Sequence, residues 1–274
     1  MDKIDIVGKS VVQHGQDSNR VYMMDMCPSD FPDIIEKIDT LADSSGYTKL
    51  FAKVAARYAP AFFAAGYETE AFVPGFFNGE EDALFLMKYK DQNRKRINEQ
   101  EMKAFQKLLL AEINTENTPR NSSYSIRQLL PTDAEEMAKV FRQVFASYPF
   151  PIFDPEFLKH EMSQTTCYFG AFHEHKLVGI SSAECNHKLK NAEMTDFAVL
   201  PSERGKKLAM RLLQVMEDFL SAYKFRSFYT IARLKSLSMN KTFRNNGYRY
   251  SGTLINNTQI AGNIESMNVW YKQV

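Results

Sequence analysis

The sequence predicts an α/β (α+β) chain of two unequal domains, and three observations lead there. Stretches that alternate apolar and polar residues, such as YTKLFAKV and SFYTIAR, take turns with stretches whose apolar residues recur at helical spacing. A polar, proline-bearing run at residues 114–123, NTENTPRNSS, separates the two halves and reads as a linker. In the second half, a strand passes through Pro201 and a basic turn into a helix with Leu208, Leu212, Val215, Met216, Phe219 and Leu220 on one side. The expected division is a smaller amino-terminal α/β domain over residues 1–90, a connecting helix and linker over 91–121, and a larger domain over 122–274.

Taken in order, residues 11–26 form two strands joined by the polar turn Gln16-Asp17-Ser18-Asn19. Asp30 and Pro32 suit a helix start, Ile34, Ile35, Ile38, Leu41 and Ala42 supply its apolar face, and Gly46 ends it. The strand YTKLFAKV follows, then a short helix closing at Gly66, then YETEAFVP and ALFLMKY joined through Asn78-Gly79. Ile97, Met102, Phe105, Leu109 and Ile113 share one face of the charged connecting helix, which is too short for a free coiled coil and is expected to pack on a domain. SIRQLL opens the larger domain, and Thr132 with Glu135 reads as a capping box. After the aromatic, proline-rich YPFPIFDPEF, Asp154-Pro155 starts another helix. CYFGAFH and KLVGISSAEC make a hairpin, SFYTIAR is a strand, residues 238–246 are a helix stopped by Gly247, and residues 248–271 are a last strand pair. The halves echo each other, because Phe62, Gly66-Tyr67 and Tyr89-Lys90 match the spacing of Phe243, Gly247-Tyr248 and Tyr271-Lys272 within one residue. A degenerate internal repeat explains this, and coincidence between two α/β units is the alternative.

Lysine and arginine number 34 against 33 acidic residues, a net charge of +1 that gives no general attraction to nucleic acid or membrane, so any anion site is local. Three scattered cysteines, Cys27, Cys167 and Cys185, suit a reducing compartment and neither a disulfide framework nor a metal knuckle. The amino terminus has no apolar run of signal-peptide type, and no window approaches a membrane span. A cytoplasmic protein is expected, with no metal: the His173-Glu174-His175 triplet lacks a supporting third site and reads as a solvated turn. Met23, Met24 and Met26 read as packing residues.

The basic turn Arg204-Gly205-Lys206-Lys207 lies ahead of a helix whose first N–H groups are unpaired and sit at the positive end of the dipole, where a diphosphate can bind. Most strand-turn-helix units bind nothing, so by itself this is weak. The spacing Val199-x-Pro201-x-x-Arg204-Gly205-x-x-Leu208-Ala209 resembles the acetyl-CoA loop of the GNAT N-acetyltransferases, whose pattern is Arg/Gln-x-x-Gly-x-Gly/Ala. Arg204 and Ala209 fit, whereas Lys207 stands where the first glycine belongs; it either adds charge beside the phosphates or points to solvent. The order of elements from Ser122 to Val274 is similar to that family's acyl-CoA N-acyltransferase fold.

That resemblance implies acetyl-CoA as cosubstrate, held by residues Arg204, Gly205, Lys206, Lys207, Leu208 and Ala209, with oxyanion donors from the backbone of Phe197, Ala198 and Val199. It implies direct attack of a deprotonated amine on the thioester. An alkylammonium has a pKa of about 10.4, leaving only about one molecule in a thousand nucleophilic near neutral pH, so a base is expected. Glu193, six residues before Val199, is the base or water-relay candidate, and Asp196, three before it, the candidate ligand for a substrate ammonium. Alternation puts the two on opposite faces unless the strand bulges, and solvated strand-edge carboxylates are the plainer reading. Phe243 occupies the place of the family's tyrosine acid and cannot donate a proton, leaving Tyr229, Tyr248 or water. Asn240 is placed near the pantetheine arm, with a helix-cap role as its alternative.

Across the whole chain, Gly8-Lys9-Ser10, Gln13-His14-Gly15, Asn19-Arg20-Val21-Tyr22, GYTKLFAKV, GYETEAFVPGFF, LFLMKY, YPFPI, MTDFAV and MNKTF resemble the β-lysine N-acetyltransferases. That implies acetylation of the terminal amine of 3,6-diaminohexanoate, a small-molecule diamino acid, to a product that serves as a compatible solute. Asp154, Glu184, Glu193 and Asp196 are then candidates for the substrate's ammonium groups, and Arg142 or Arg233 for its carboxylate. Acetylation of a polyamine or a protein lysine, and a non-catalytic CoA-binding role, stay open. So does the task of the first domain, which either closes the acceptor pocket or mediates a homodimer.

Overall fold

A computed structural model describes residues 2–113, 123–146, 148 and 150–274. The linker expected from composition falls largely on residues 114–122, outside that set.

The amino-terminal half is a six-stranded sheet, built from β1 (Lys3–Val7), β2 (Ser10–Gly15), β3 (Arg20–Asp25), β4 (Lys49–Ala55), β5 (Glu68–Phe77) and β6 (Glu81–Tyr89) in the order β1-β2-β3-β4-β6-β5. Helices α1 (Ile34–Ser45) and α2 (Ala59–Ala64) complete it. Ile34, Ile35, Ile38 and Ala42 of α1 are buried at the spacing the sequence shows, and Gly46 closes the helix at φ 67°, which favours a residue without a Cβ. The alternation does not announce β1, because Ile4 and Ile6 are 53% and 64% exposed and leave no buried face to read.

Helix α3 (Glu99–Leu110), capped by the Asn98 side chain, connects the halves. Its Phe105 is fully buried against Tyr250 and Trp270, so the helix packs on the second half. That half is a seven-stranded sheet of β7 (Tyr124–Gln128), β8 (Thr166–His173), β9 (Lys176–Asn186), β10 (Asn191–Val199), β11 (Ser227–Arg233), β12 (Arg249–Ile260) and β13 (Asn263–Gln273), ordered β12-β13-β11-β10-β9-β8-β7. Around it lie α4 (Ala134–Val144), α5 (Pro155–Gln164), α6 (Leu208–Ala222) and α7 (Leu237–Asn245). The capping box expected from Thr132 and Glu135 is replaced by Asp133, which accepts the Leu130 N–H at 2.8 Å and pairs with Arg127 at 2.8 Å. A short 3-10 turn at Pro131–Asp133 shifts the helix start to Ala134 and takes Thr132 out of the cap position.

The two sheets share a path. β1 to β6 and β8 to β13 follow the same spatial order, each with one parallel pair, β3 with β4 and β10 with β11. The echo in the sequence has a physical counterpart at the ends of α2 and α7. Gly66 and Gly247 take φ 85° and 82°, and Phe62 and Phe243 meet Tyr67 and Tyr248 edge-on at 5.1 Å and 5.2 Å.

The halves dock sheet to sheet. Phe51, Val73, Phe76, Phe85 and Met87 form one buried cluster with Tyr229, Leu254, Met267 and Val269. Gly252 of β12 lies so close to β5 that a Cβ built on it would stand 1.9 Å from the Glu70 carbonyl oxygen. Where the pairing of β12 slips between Leu254 and Thr258, three successive carbonyls turn to the first half. Lys49 donates to Ile255 at 2.6 Å, Arg94 to Asn256 at 3.0 Å and Arg20 to Asn257 at 2.8 Å. All three cations are buried.

Candidate active site

The ladder between β10 and β11 runs only from Asn191–Glu193 to Ser227–Tyr229, after which the strands part. On the other side, β10 pairs with β9 as far as Thr195 with Ser182 and resumes at Ala198 with Ile180. Asp196 and Phe197 are the residues skipped, and Asp196 takes φ 52°. This is a bulge on a splayed strand, and it leaves backbone groups of β10 without ladder partners along the gap.

The bulge settles which way the two carboxylates face. Glu193 stands opposite Glu184, and Thr195 opposite Ser182, so these four share a face. Asp196 would point away by alternation, yet it accepts from Ser182 Oγ at 2.6 Å and from the Tyr148 hydroxyl, which places it on the Glu193 side. The parallel register adds Tyr229, beside Glu193. Across the domain boundary, Lys53 of β4 reaches the same group: its Nζ lies 3.4 Å from Tyr229 Oη.

Burial raises the carboxyl of Glu193 above its ordinary value, with Lys53 and the Tyr229 hydroxyl opposing the rise and Asp196 adding to it. Burial likewise raises Asp196, against the hydrogen bonds from Ser182 and Tyr148. Glu184 keeps access to solvent, yet the surrounding protein and then the charges of Glu193 and Asp196 push it up to about 8. The folded chain therefore holds a proton on Glu184 that the unfolded chain, with an ordinary value of 4.5, has released. Its contribution to stability is full below about 4.5 and is lost as pH rises toward about 8. Glu184→Gln is expected to flatten the decline of melting temperature between those two pH values; an unaltered slope would show that the carboxyl titrates normally.

The turn into α6 suits a diphosphate. Arg204, Gly205, Lys206 and Lys207 are exposed, α6 has no side-chain cap, and nothing lies within 4 Å of a Cβ built on Gly205, so the approach to the first amides is open. Arg204 Nε reaches back to the Val199 carbonyl at 3.4 Å, Lys206 pairs with Glu203 at 2.8 Å, Leu208 is buried in the core, and Ala209 is half-buried. Lys207 takes φ 58°, so the backbone keeps a left-handed bend although the glycine is gone. A side chain there costs about 1–2 kcal/mol, and replacing it by glycine raises chain entropy at a cost of about 0.5–1 kcal/mol.

Several candidates are not brought to the site. Asn240 is fully buried, and its amide donates to the carbonyls of Arg233 and Ser236 at 2.9 Å while Oδ1 accepts from Asn268 at 2.9 Å and Trp270 at 2.8 Å. Its polar atoms hold the loop after β11 and are not presented to a cosubstrate. Arg233 is bound to Glu265 at 2.6 Å, Arg142 donates to the Phe153 carbonyl, and Asp154 caps α5 by accepting the Glu156 N–H at 3.0 Å. Phe243 packs against Phe197 at 5.6 Å, and Tyr248 lies by Glu217 and Lys272, leaving Tyr229 as the hydroxyl of that trio beside Glu193. Lys53 and Tyr148 are the residues that sequence reasoning missed. Lys53 sits in a strand read only as sheet, and nothing local says which domain face that strand meets; Tyr148 belongs to the aromatic segment expected to shape the acceptor pocket.

The sequence profile of the Acetyltransferase (GNAT) family matches residues 133–248. The chain is 35% identical over 274 residues to the β-lysine N(6)-acetyltransferase of Methanococcus maripaludis, covering 99% of each chain. It is 31% identical over 208 residues to the N-acetyltransferase YodP of Bacillus subtilis, covering 75% of this chain and 74% of that one. Among solved structures, the ribosomal-protein-S5-alanine acetyltransferase of Vibrio fischeri shares the fold at a TM-score of 0.50 and 17% identity, over 58% of this chain and 97% of that one.

Proposed function

Since this chain belongs to the GNAT acetyltransferases, and to the group within them that contains the β-lysine N(6)-acetyltransferases, we propose that it acetylates the terminal amine of β-lysine, 3,6-diaminohexanoate. The observation that carries this reading is that the similarity to the Methanococcus maripaludis enzyme runs through both domains, at 99% coverage of each chain, and not through the GNAT region alone. The carboxyl groups of the site support it: Glu184, Glu193 and Asp196 share one face, and an arriving ammonium favours their ionised forms, which suits an acceptor that carries two.

Acetyl-CoA supplies an activated acyl group as its thioester. The turn from Arg204 to Ala209 would hold its diphosphate, and the backbone of Phe197 to Val199 on the β11 side, beyond the end of the β10–β11 ladder, would hold the arm and the acyl oxygen. Asp196, fixed by Ser182 and Tyr148, binds and orients an ammonium of the acceptor. Glu193, whose proton affinity burial has raised, takes the proton that the reacting amine gives up, directly or through water, and passes it on to solvent. As the amide C–N bond forms, the thioester C–S bond breaks and the CoA thiolate leaves, to be protonated by water. Tyr229 orients Glu193 and stays protonated, because burial raises its hydroxyl well above the usual range. Acetylation removes one positive charge and leaves a net-neutral zwitterion, the charge state of a compatible solute.

Thiol release from acetyl-CoA with β-lysine, α-lysine, spermidine and a lysine peptide tests the reading. β-Lysine is expected to give the highest kcat/KM. A preference for spermidine or the peptide would transfer the assignment to a polyamine or protein acetyltransferase.

A further inference from the structure

Among the described residues, the second domain's part of the site supplies acids for the ammonium groups of the acceptor and no cation for its carboxylate, since Arg233 and Arg142 are committed elsewhere. One cation does reach it, from the other domain. We infer that Lys53 of the amino-terminal sheet binds the acceptor's carboxylate, so that the two sheets together form the acceptor site and the first domain sets selectivity for an amino acid over a plain diamine. This rests on the proposed function and adds to it a named subsite.

Three observations carry the inference. Tyr22, Phe51 and Lys53 look toward the second domain: Phe51 is in the interdomain cluster, Tyr22 is stacked on it at 4.3 Å, and Lys53 lies two residues along β4 on the same side. The Lys53 ammonium is half-buried among aromatic rings, 5.3 Å from the centre of Phe76 and 5.6 Å from that of Tyr229, with the neutral hydroxyls of Tyr229 and Tyr22 as polar partners. Glu193 and Glu184 act on it through space, and among the described residues it makes no direct ion pair. An ammonium has three donors, and burying one without an anion in contact is costly; a carboxylate arriving between the sheets completes its shell. The nearby acids keep it charged. Asp196 holds the ammonium that does not react and Glu193 receives the proton of the amine that does, so the substrate's carboxylate and its two amines each find a partner on facing sheets.

The test compares β-lysine with 1,4-diaminopentane, which keeps both amines at the same spacing and lacks only the carboxylate, in wild-type protein and in Lys53→Met, Lys53→Gln and Lys53→Arg. The readout is the ratio of kcat/KM for the two substrates, which does not depend on the fraction of folded enzyme. The ratio is expected to favour β-lysine in the wild type, to fall at least about tenfold in the Met and Gln variants through KM, and to recover in part with Arg. An equal loss on both substrates, leaving the ratio intact, would overturn the role of Lys53 while leaving the β-lysine assignment standing. A wild-type ratio near one would overturn the subsite whichever diamine the enzyme uses. A preference for α-lysine over β-lysine would revise the substrate alone, and the α-lysine to 1,5-diaminopentane ratio then decides Lys53 in the same way.

Discussion

Glu193→Gln is expected to lower kcat by about 100-fold or more, the usual reach of a general base, with KM for β-lysine changed much less. The variant keeps the shape of the side chain and removes the proton acceptor, while Asp196, held by Ser182 and Tyr148, still binds the acceptor. The pH dependence separates this from a mere packing loss. In the wild type the base works only when ionised, so activity falls as pH drops through the raised value of Glu193. In the variant that limb disappears, and the rate climbs only with the free-amine fraction of the substrate, toward its pKa of about 10.4. Two profiles of the same shape would remove Glu193 from the mechanism. Losing its charge also relieves Glu184, whose elevated proton affinity owes its second largest push to Glu193.

Gly252→Val is expected to be the most damaging single change away from the chemistry. A Cβ at that position meets the Glu70 carbonyl oxygen at 1.9 Å and the Ala71 Cα at 3.1 Å, which are backbone atoms of β5 and cannot swing aside as a side chain would. Overpacking of this kind costs about 3 kcal/mol or more, which for a chain of this size lowers the melting temperature by roughly 6–12 °C. Because the contact joins the two domains, KM for β-lysine is expected to rise together with the loss of stability, as Lys53 moves off the site. A Gly252→Val protein with wild-type melting and wild-type KM would mean that the domains dock more loosely than the geometry implies.

Much of this arrangement could be read from residue order. The spacing of apolar residues located α1 and α6, Gly46 and Gly247 marked the ends of α1 and α7, and the paired Phe-Gly-Tyr spacing foretold two local motifs that the fold makes alike. The turn from Arg204 to Ala209 was legible because a strand, a basic turn and a helix follow one another directly along the chain. The site as a whole was less so. Whether Glu193 and Asp196 share a face depends on a two-residue slip against β9, and alternation alone gives the opposite answer. Asn240 has the residue type for contacting a cosubstrate, but its surroundings, Asn268 and Trp270 on a distant strand, consume its hydrogen bonds. Lys53 was hidden for a different reason: its meaning comes from the face of another domain, and no local pattern encodes docking.

The way Lys49, Arg94 and Arg20 hold β12 has a consequence for the surroundings such an enzyme would work in. Their partners there are neutral carbonyl dipoles, and the contacts lie away from water. Dissolved ions weaken attractions between exposed charges over distances of about 8–10 Å at ordinary ionic strength, and reach buried ones far less. A junction made this way keeps its grip as the ionic strength around the protein rises.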